Sequence, residues 1–339
     1  MNTNLPTLEF ILKNYKNFNS RATRDATIAY WRHVEKGGKM FWAVGGAMSS
    51  AQMGITLAPA IREGLISGMS VTGANLEESL FRLVAHNSYK DFPDYRYFTK
   101  EDDTKILEDR MRRVTDTSIP EDEAFRVVEK QIVPIWKENT ANGVRKFWHE
   151  YFYDLIKAVD EKDHEGKKEE CWLLAAAENN IPIVVPGHED STFGNIFASY
   201  VKNNECSPSI VKSGIEYMAA FYDQYQDLSK GEGVGFFQIG GGISGDFPIC
   251  VVPSLKYDMQ IDNVKPWAYF CQISDSTTSY GSYSGATPNE KITWDKLTKE
   301  TPMFVIESDA TIVSPLMLTA LLECKANPEA ANELIKKYL

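Results

Sequence analysis

A lysine amine attacks an imine or carbonyl only after losing its proton, and partial removal from water makes that loss easier. Lys296 has a neighbour that can supply such a setting. Trp294 stands two residues earlier in the run Pro288-Asn289-Glu290-Lys291-Ile292-Thr293-Trp294-Asp295-Lys296. The spacing predicts an ammonium partly desolvated by the indole, hence a nucleophilic amine. Lys291 is read as expendable. A lone lysine is more often a surface charge, so the surroundings must carry the rest. Residues 275–286, DSTTSYGSYSGA, form a long, small and polar stretch just before it. A solvent loop does not need two tyrosines followed by so specific a continuation.

Gly240-Gly241-Gly242-Ile243-Ser244-Gly245 matches G-x-G-x-x-G between a strand-like and a helix-like stretch. Glycines there let backbone N–H groups approach a pyrophosphate at a helix N-terminus. The acid expected about 20 residues on, at the end of the next strand, is missing. Asp258 and Asp262 fall instead in a polar connection, so the pattern is not that of a standard Rossmann dehydrogenase. Similar turns follow other strands: Gly45-Gly46-Ala47-Met48-Ser49-Ser50, Thr72-Gly73-Ala74-Asn75 and Asp190-Ser191-Thr192-Phe193-Gly194. Ligands of open α/β sheets bind outside the carboxyl ends of the strands. Several such turns on one edge therefore point to a dinucleotide crevice. Metal chemistry lacks its ligands: His33, His86, His149, His164 and His188 show no paired spacing, and no C-x-x-C occurs. His164 is read as a solvated residue of a charged connector. His188 and Glu189 are the better site candidates. There is no G-x-S-x-G elbow.

The elements that must hold these residues alternate between strand and helix, which predicts an α/β fold with an open, largely parallel sheet and helices on both faces. Strands are expected at Lys39–Val44, 65–72, 181–185, Val234–Ile239, 268–273 and Met303–Glu307. A helix is expected from the Gly45 turn to about Arg62. Asn75 is read as the N-cap of the next, whose apolar residues fall on one face. Further helices are expected near 120–140, to about 159, over 171–179, after 194, over 208–228, 312–322 and 328–339. Residues 87–118 read as an insertion or lid. The strands span the chain, so one domain is expected over 1–339, with a helical extension over about 1–38 and an insertion over about 87–165.

The 339 residues are 43% hydrophobic and 24% charged, enough for a large core. No apolar run is long enough to span a membrane, and the first residues lack the pattern of a secretory signal. Five scattered cysteines suit reduced thiols in a cytoplasmic protein. The net charge of -11, without a basic stripe, argues against nucleic acid and is compatible with a cationic substrate.

The segments VTGANLEESL, IPIVVPGHEDSTFGN, GGGISGD, DSTTSYGSYSGATPNEKITWDKL and ESDATIVSPL occur in the order and spacing of deoxyhypusine synthase. The chain resembles that family over about residues 39–322, and most closely its bacterial and archaeal deoxyhypusine synthase-like branch. The specific part is SGA-x-P-x-E-x-x-x-W-x-K. The resemblance implies a Rossmann-like tetramer with active sites at dimer interfaces. It also implies chemistry in which NAD oxidises spermidine to an imine. A lysine captures the aminobutyl group, passes it to an acceptor amine, and the same NADH reduces the product.

On this resemblance Lys296 is the catalytic lysine, with Asp246 and Glu78 as further catalytic residues. Trp294, Glu290, Asn195, Tyr283 and Glu77 would contact the polyamine. Thr72, Gly73, Ala74, Asp190, Gly240, Gly241, Gly242, Asp275, Ser276, Asp309 and Ala310 would contact NAD. Several positions depart from the family. Asp246 stands where the family has a histidine, Asn195 and Tyr283 where it has acids, Tyr280 for another acid, and Asp275 for a threonine. A neutral side chain can hydrogen-bond an amine but cannot neutralise it. These changes point away from spermidine plus a protein lysine, and the bacterial character of the resemblance points to a small acceptor such as putrescine, giving a homospermidine synthase-like activity. The alternatives are modification of a protein lysine with spermidine, and a catalytically silent NAD- or polyamine-binding protein.

Overall fold

Apolar runs bounded by glycine or polar residues become strands of a parallel sheet, buried on both faces except at one edge, where Met303–Glu307 is half-buried. In the computed structural model, which describes residues 4–276 and 287–339, six such strands form one sheet. They are β1 (Lys39–Val44), β2 (Gly68–Val71), β6 (Ile183–Val184), β7 (Val234–Ile239), β8 (Tyr269–Ser274) and β9 (Met303–Glu307). Their order is β6-β2-β1-β7-β8-β9, and every pairing is parallel. Chain progression runs outward from β1 to one side and from β7 to the other. This is the doubly wound order with its switch point between β1 and β7. The smaller strands β3 (Lys90–Asp91), β4 (Met111–Val114) and β5 (Thr117–Pro120) form a separate antiparallel sheet that begins in the 87–118 segment expected as an insertion or lid and runs past its end to Pro120.

The helices, in chain order, are α1 (Pro6–Asn14), α2 (Phe18–Glu35), α3 (Gly54–Arg62), α4 (Gly73–Val84), α5 (Lys100–Glu108), α6 (Val127–Asn142), α7 (Trp148–Ala158) and α8 (Trp172–Glu178). There follow α9 (Thr192–Lys202), α10 (Gly214–Leu228), α11 (Ile243–Ile249), α12 (Val251–Pro253), α13 (Glu290–Thr293), α14 (Ala310–Ala326) and α15 (Pro328–Tyr338). Among the described residues no helix is long and apolar enough to cross a membrane. One face of the sheet stacks Trp42 on Phe237 with ring centroids 4.0 Å apart. Trp42 Nε1 donates to the Tyr30 hydroxyl at 2.9 Å, and that hydroxyl donates to the Leu65 carbonyl at 2.7 Å. This satisfies the polar atoms that burial would otherwise leave costly. The other face packs Phe41, Phe236, Phe221 and Trp267.

Several local expectations are corrected. The helix after the Gly45 turn begins only at Gly54, because residues 46–53 form successive turns tied to Asn75. Asn75 is not an N-cap; Thr72 holds that position and its hydroxyl accepts from Asn75 N. The stretch 208–228 breaks into a short 3-10 turn and α10, which has a Ser213–Glu216 capping box of its own. His164 is half-buried, not solvated.

Candidate functional site

The carboxyl ends of β1 and β7 open a crevice at the switch point. Gly45, Gly46, Ile239, Gly240, Asp275 and Asp309 line a 210 Å³ pocket there. A cavity of about 750 Å³ adjoins it, sharing Met48 and Asp309 and reaching Ser50, Arg82 and the wall formed by β4 and β5. The glycine turn is shaped from below. Gln238 of β7 and Gln272 of β8 both donate to the Gly240 carbonyl, at 3.1 and 3.0 Å. Gly242 has φ 76° and ψ −158°, a backbone that side-chain-bearing residues avoid. Asp309 caps α14 through Thr311 N at 2.7 Å, with Ala310 buried behind it. Asp190, Asp275 and Ser276 are exposed at neighbouring strand ends. Thr72, Gly73 and Ala74 open α4 on the same edge.

Asn75, not foreseen as a site residue, organises the β1 turn. Its Nδ2 donates to the Gly46 carbonyl and Thr72 hydroxyl, both at 2.9 Å, and its Oδ1 accepts from Ser49 N at 3.0 Å. Its partners Gly46 and Ser49 lie 29 and 26 residues back in the chain, so local sequence does not mark that role. Glu77 and Glu78 follow on α4 and serve different neighbours. Glu78 is buried and accepts from the Ser50 hydroxyl, with burial raising its carboxyl and Ser50 and Arg82 opposing that rise. Arg82 stacks 3.6 Å from the Tyr89 ring and donates to Ser50 O and Thr117 Oγ1, each at 3.1 Å. It thereby ties the small sheet to the β1 turn.

Glu77 is fully enclosed and accepts from Phe193 N at 2.9 Å, in the first turn of α9. It anchors the 186–194 turn rather than facing the cavity. Burial pushes its carboxyl from 4.5 to about 8. The folded chain then keeps a proton that the unfolded chain has lost, so Glu77 costs stability as pH rises from about 4.5 to about 8. Glu77→Gln retains the acceptor without the titration. Its unfolding free energy by urea denaturation should therefore rise relative to wild type across that window, by at most about 1.4 kcal/mol per pH unit. A pH-independent difference would overturn this assignment.

Asn195 is exposed, and its Nδ2 donates to the Ser191 carbonyl at 2.7 Å and the Glu189 carbonyl at 3.2 Å, so its amide is spent on its own turn. His188 is buried on Trp148 with centroids 4.8 Å apart. Burial holds it below the ordinary histidine value, while Glu189, which is exposed, pulls the other way. Tyr280 and Tyr283 lie outside the described residues.

The lysine segment occupies a different place. The Lys296 carbonyl accepts from Trp267 N at 3.0 Å, which sets it at the amino end of β8, opposite the glycine turn. Glu290 and Asp246 are exposed, and so is Trp294, at 65%. A second lysine is the one placed over a buried ring. Lys296 lies 5.6 Å from the Trp294 ring centroid, but that indole faces solvent. Lys291 lies 4.9 Å from the centroid of Phe270, a fully buried residue. Burial first, and the Lys296 charge second, lower its pKa, with Asp246 and Glu290 opposing. The reason is tertiary: β8 supplies the cover for Lys291.

A family model described as deoxyhypusine synthase matches residues 11–321. The chain belongs to the deoxyhypusine synthase family. Among its relatives is a deoxyhypusine synthase-like protein from a Nostoc species, 28% identical over 345 residues, covering 97% of this chain and 84% of that one. A protein named as a probable deoxyhypusine synthase in Sulfurisphaera tokodaii is 26% identical over 264 residues, covering 77% and 75%. A crystal structure of an Entamoeba histolytica protein assigned as a deoxyhypusine synthase superposes with a TM-score of 0.51 at 11% identity, covering 90% of this chain and 88% of that one. That likeness speaks for the fold. Deoxyhypusine synthases are aminobutyl transferases that in general use NAD.

Proposed function

We infer that this chain transfers an aminobutyl-type group from a polyamine to a small amine, using NAD and an imine on Lys296. The observation that carries this is the Trp294–Lys296 pair in a family whose chemistry consumes an amine, since binding alone needs no nucleophile. The crevice suits NAD. At Gly240 a Cβ would meet nothing within 4 Å, so bare backbone faces open space there. The two adjoining cavities give a dinucleotide room. Gly45, Gly240, Gly241 and Asp309 would hold it, with Thr72, Gly73, Ala74, Asp190, Asp275 and Ser276 around the rim. Bound NAD would accept a hydride from the carbon beside an amine nitrogen.

The chain's own carboxylates do the rest. Glu78, Glu290 and Asp246 answer protonated nitrogens, while neutral Asn195 and Tyr283 cannot. Fewer acids around the substrate favour a donor and acceptor unlike spermidine plus a protein lysine. Glu78 and Lys296 lie on separate parts of one chain, which supports a site completed by a second copy in a cytoplasmic homo-oligomer, a tetramer on the family's pattern.

The test incubates the protein with NAD and spermidine, putrescine or agmatine, and reads new amines by mass spectrometry. No new amine from any pairing would leave only a binding role. Gly241→Val tests the crevice separately. Gly241 is not among the glycines of positive φ, so its backbone is one that valine can adopt, and circular dichroism of the variant controls for the fold. Calorimetry is expected to find NAD affinity reduced at least about tenfold, roughly 1.4 kcal/mol. Unchanged affinity would remove NAD from this crevice.

A further inference from the structure

Asp295 stands between Trp294 and Lys296 with φ 57°, a left-handed backbone that a residue with a side chain adopts at a cost. The bonds around it close α13 as a Schellman turn. Lys296 N donates to the Lys291 carbonyl at 3.0 Å, and Asp295 N to the Ile292 carbonyl at 2.9 Å. Glycine is the usual residue at that position, because it enters the left-handed region freely. The turn redirects its neighbours. Residues two apart on a continuing helix do not face each other, whereas here the Lys296 amine lies 5.6 Å from the Trp294 ring centroid. What Asp295 adds over a glycine is a carboxylate. It accepts from Lys256 Nζ and, at 2.9 Å, from the Tyr257 hydroxyl. Both donors belong to the π-helical turn Ser254–Asp258, so a separate element grips the lysine segment. Lys256 and Asp295 are each half-buried, where a charge-assisted bond is screened less than on open surface. On the far side of Lys296, Leu297 is buried and the Lys296 carbonyl accepts from Trp267 N at 3.0 Å.

We propose that Asp295 is a positioning residue, whose left-handed turn, clamped by Lys256 and Tyr257, aims the Lys296 amine beside Trp294. This rests on the reading of Lys296 as nucleophile. A left-handed backbone at a residue with a side chain persists where its surroundings hold it, and such outliers gather at functional sites. A glycine would relieve the backbone but give up the clamp. The amine would then sample directions other than the reactive one, and a displacement of about 1 Å can cost roughly a hundredfold in rate.

Asp295→Gly separates stability from aim. Its thermal midpoint should stay within about 3 °C of wild type, since relief of the backbone offsets the lost contacts. Its turnover of spermidine and putrescine with NAD should nevertheless fall about tenfold or more, with KM within about twofold. Lys256→Met should reproduce the loss, and the double variant should be no worse than either alone. Asp295→Asn keeps an acceptor and tolerates the left-handed region, so it should recover most of the turnover. Hydrogen exchange read by mass spectrometry needs no substrate. Over residues 290–297 it should be about tenfold faster in Lys256→Met than in wild type. Unchanged exchange there overturns the clamp, and so does wild-type turnover in Asp295→Gly or a pair of losses that multiply in the double variant. Borohydride trapping of wild type with NAD and spermidine keeps the two readings apart. An adduct on Lys296 with unchanged exchange in Lys256→Met sinks the clamp alone. An adduct on another lysine sinks the nucleophile, and the positioning role with it.

Discussion

Lys296→Ala is expected to abolish transfer, lowering turnover by at least about a thousandfold. The group must be carried on a nitrogen between donor and acceptor, and an alanine offers no atom for that bond. Binding should survive. Lys296 joins the chain at the amino end of β8, whereas the glycine turn and Asp309 stand at the carboxyl ends of β7 and β9. Calorimetry should therefore find NAD affinity within about twofold of wild type, a difference of roughly 0.4 kcal/mol. Borohydride reduction with NAD and donor should trap an adduct on Lys296 in the wild type and none in the variant. An adduct mapped to any other lysine, or transfer persisting in Lys296→Ala, would show that the chemistry runs elsewhere.

Mixing Lys296→Ala with Glu78→Gln is expected to restore activity that neither variant has alone. Glu78 lies on α4, which follows β2, and Lys296 lies beside β8. Strands β1 and β7 stand between, so three spacings of about 4.8 Å separate the two. One chain therefore keeps its buried carboxylate and its amine apart. Trp294 and Tyr257, each 65% exposed, and Met259 at 47% leave apolar surface around the lysine segment for a second copy to cover. In an isologous pair each site takes one group from each chain. Half of the randomly mixed dimers are mixed, and each of those regains one intact site of two, which gives about a quarter of wild-type activity. Subunit exchange confirmed by native mass spectrometry without any recovered transfer would mean that each chain works with its own residues.

Much of the frame was legible without coordinates, for a physical reason. The bounds of β1, β7 and β9 agree with the sequence reading residue for residue, because each is an apolar run ended by small or polar residues that are its immediate neighbours. The Gly240 turn was equally plain as the connection from β7 to α11, since its residues are contiguous. What the tertiary structure alone decided depends on residues brought from afar. Asn75 looked like a cap, yet it organises a turn whose partners lie about 30 residues back. Glu77 and Glu78 are adjacent in sequence but answer to α9 and to the β1 turn respectively. The tryptophan beside Lys296 suggested desolvation of that amine, but the indole faces solvent and Phe270 covers Lys291 instead. Strand propensity is a local property of the chain, whereas burial and electrostatic environment sum over neighbours that only folding assembles.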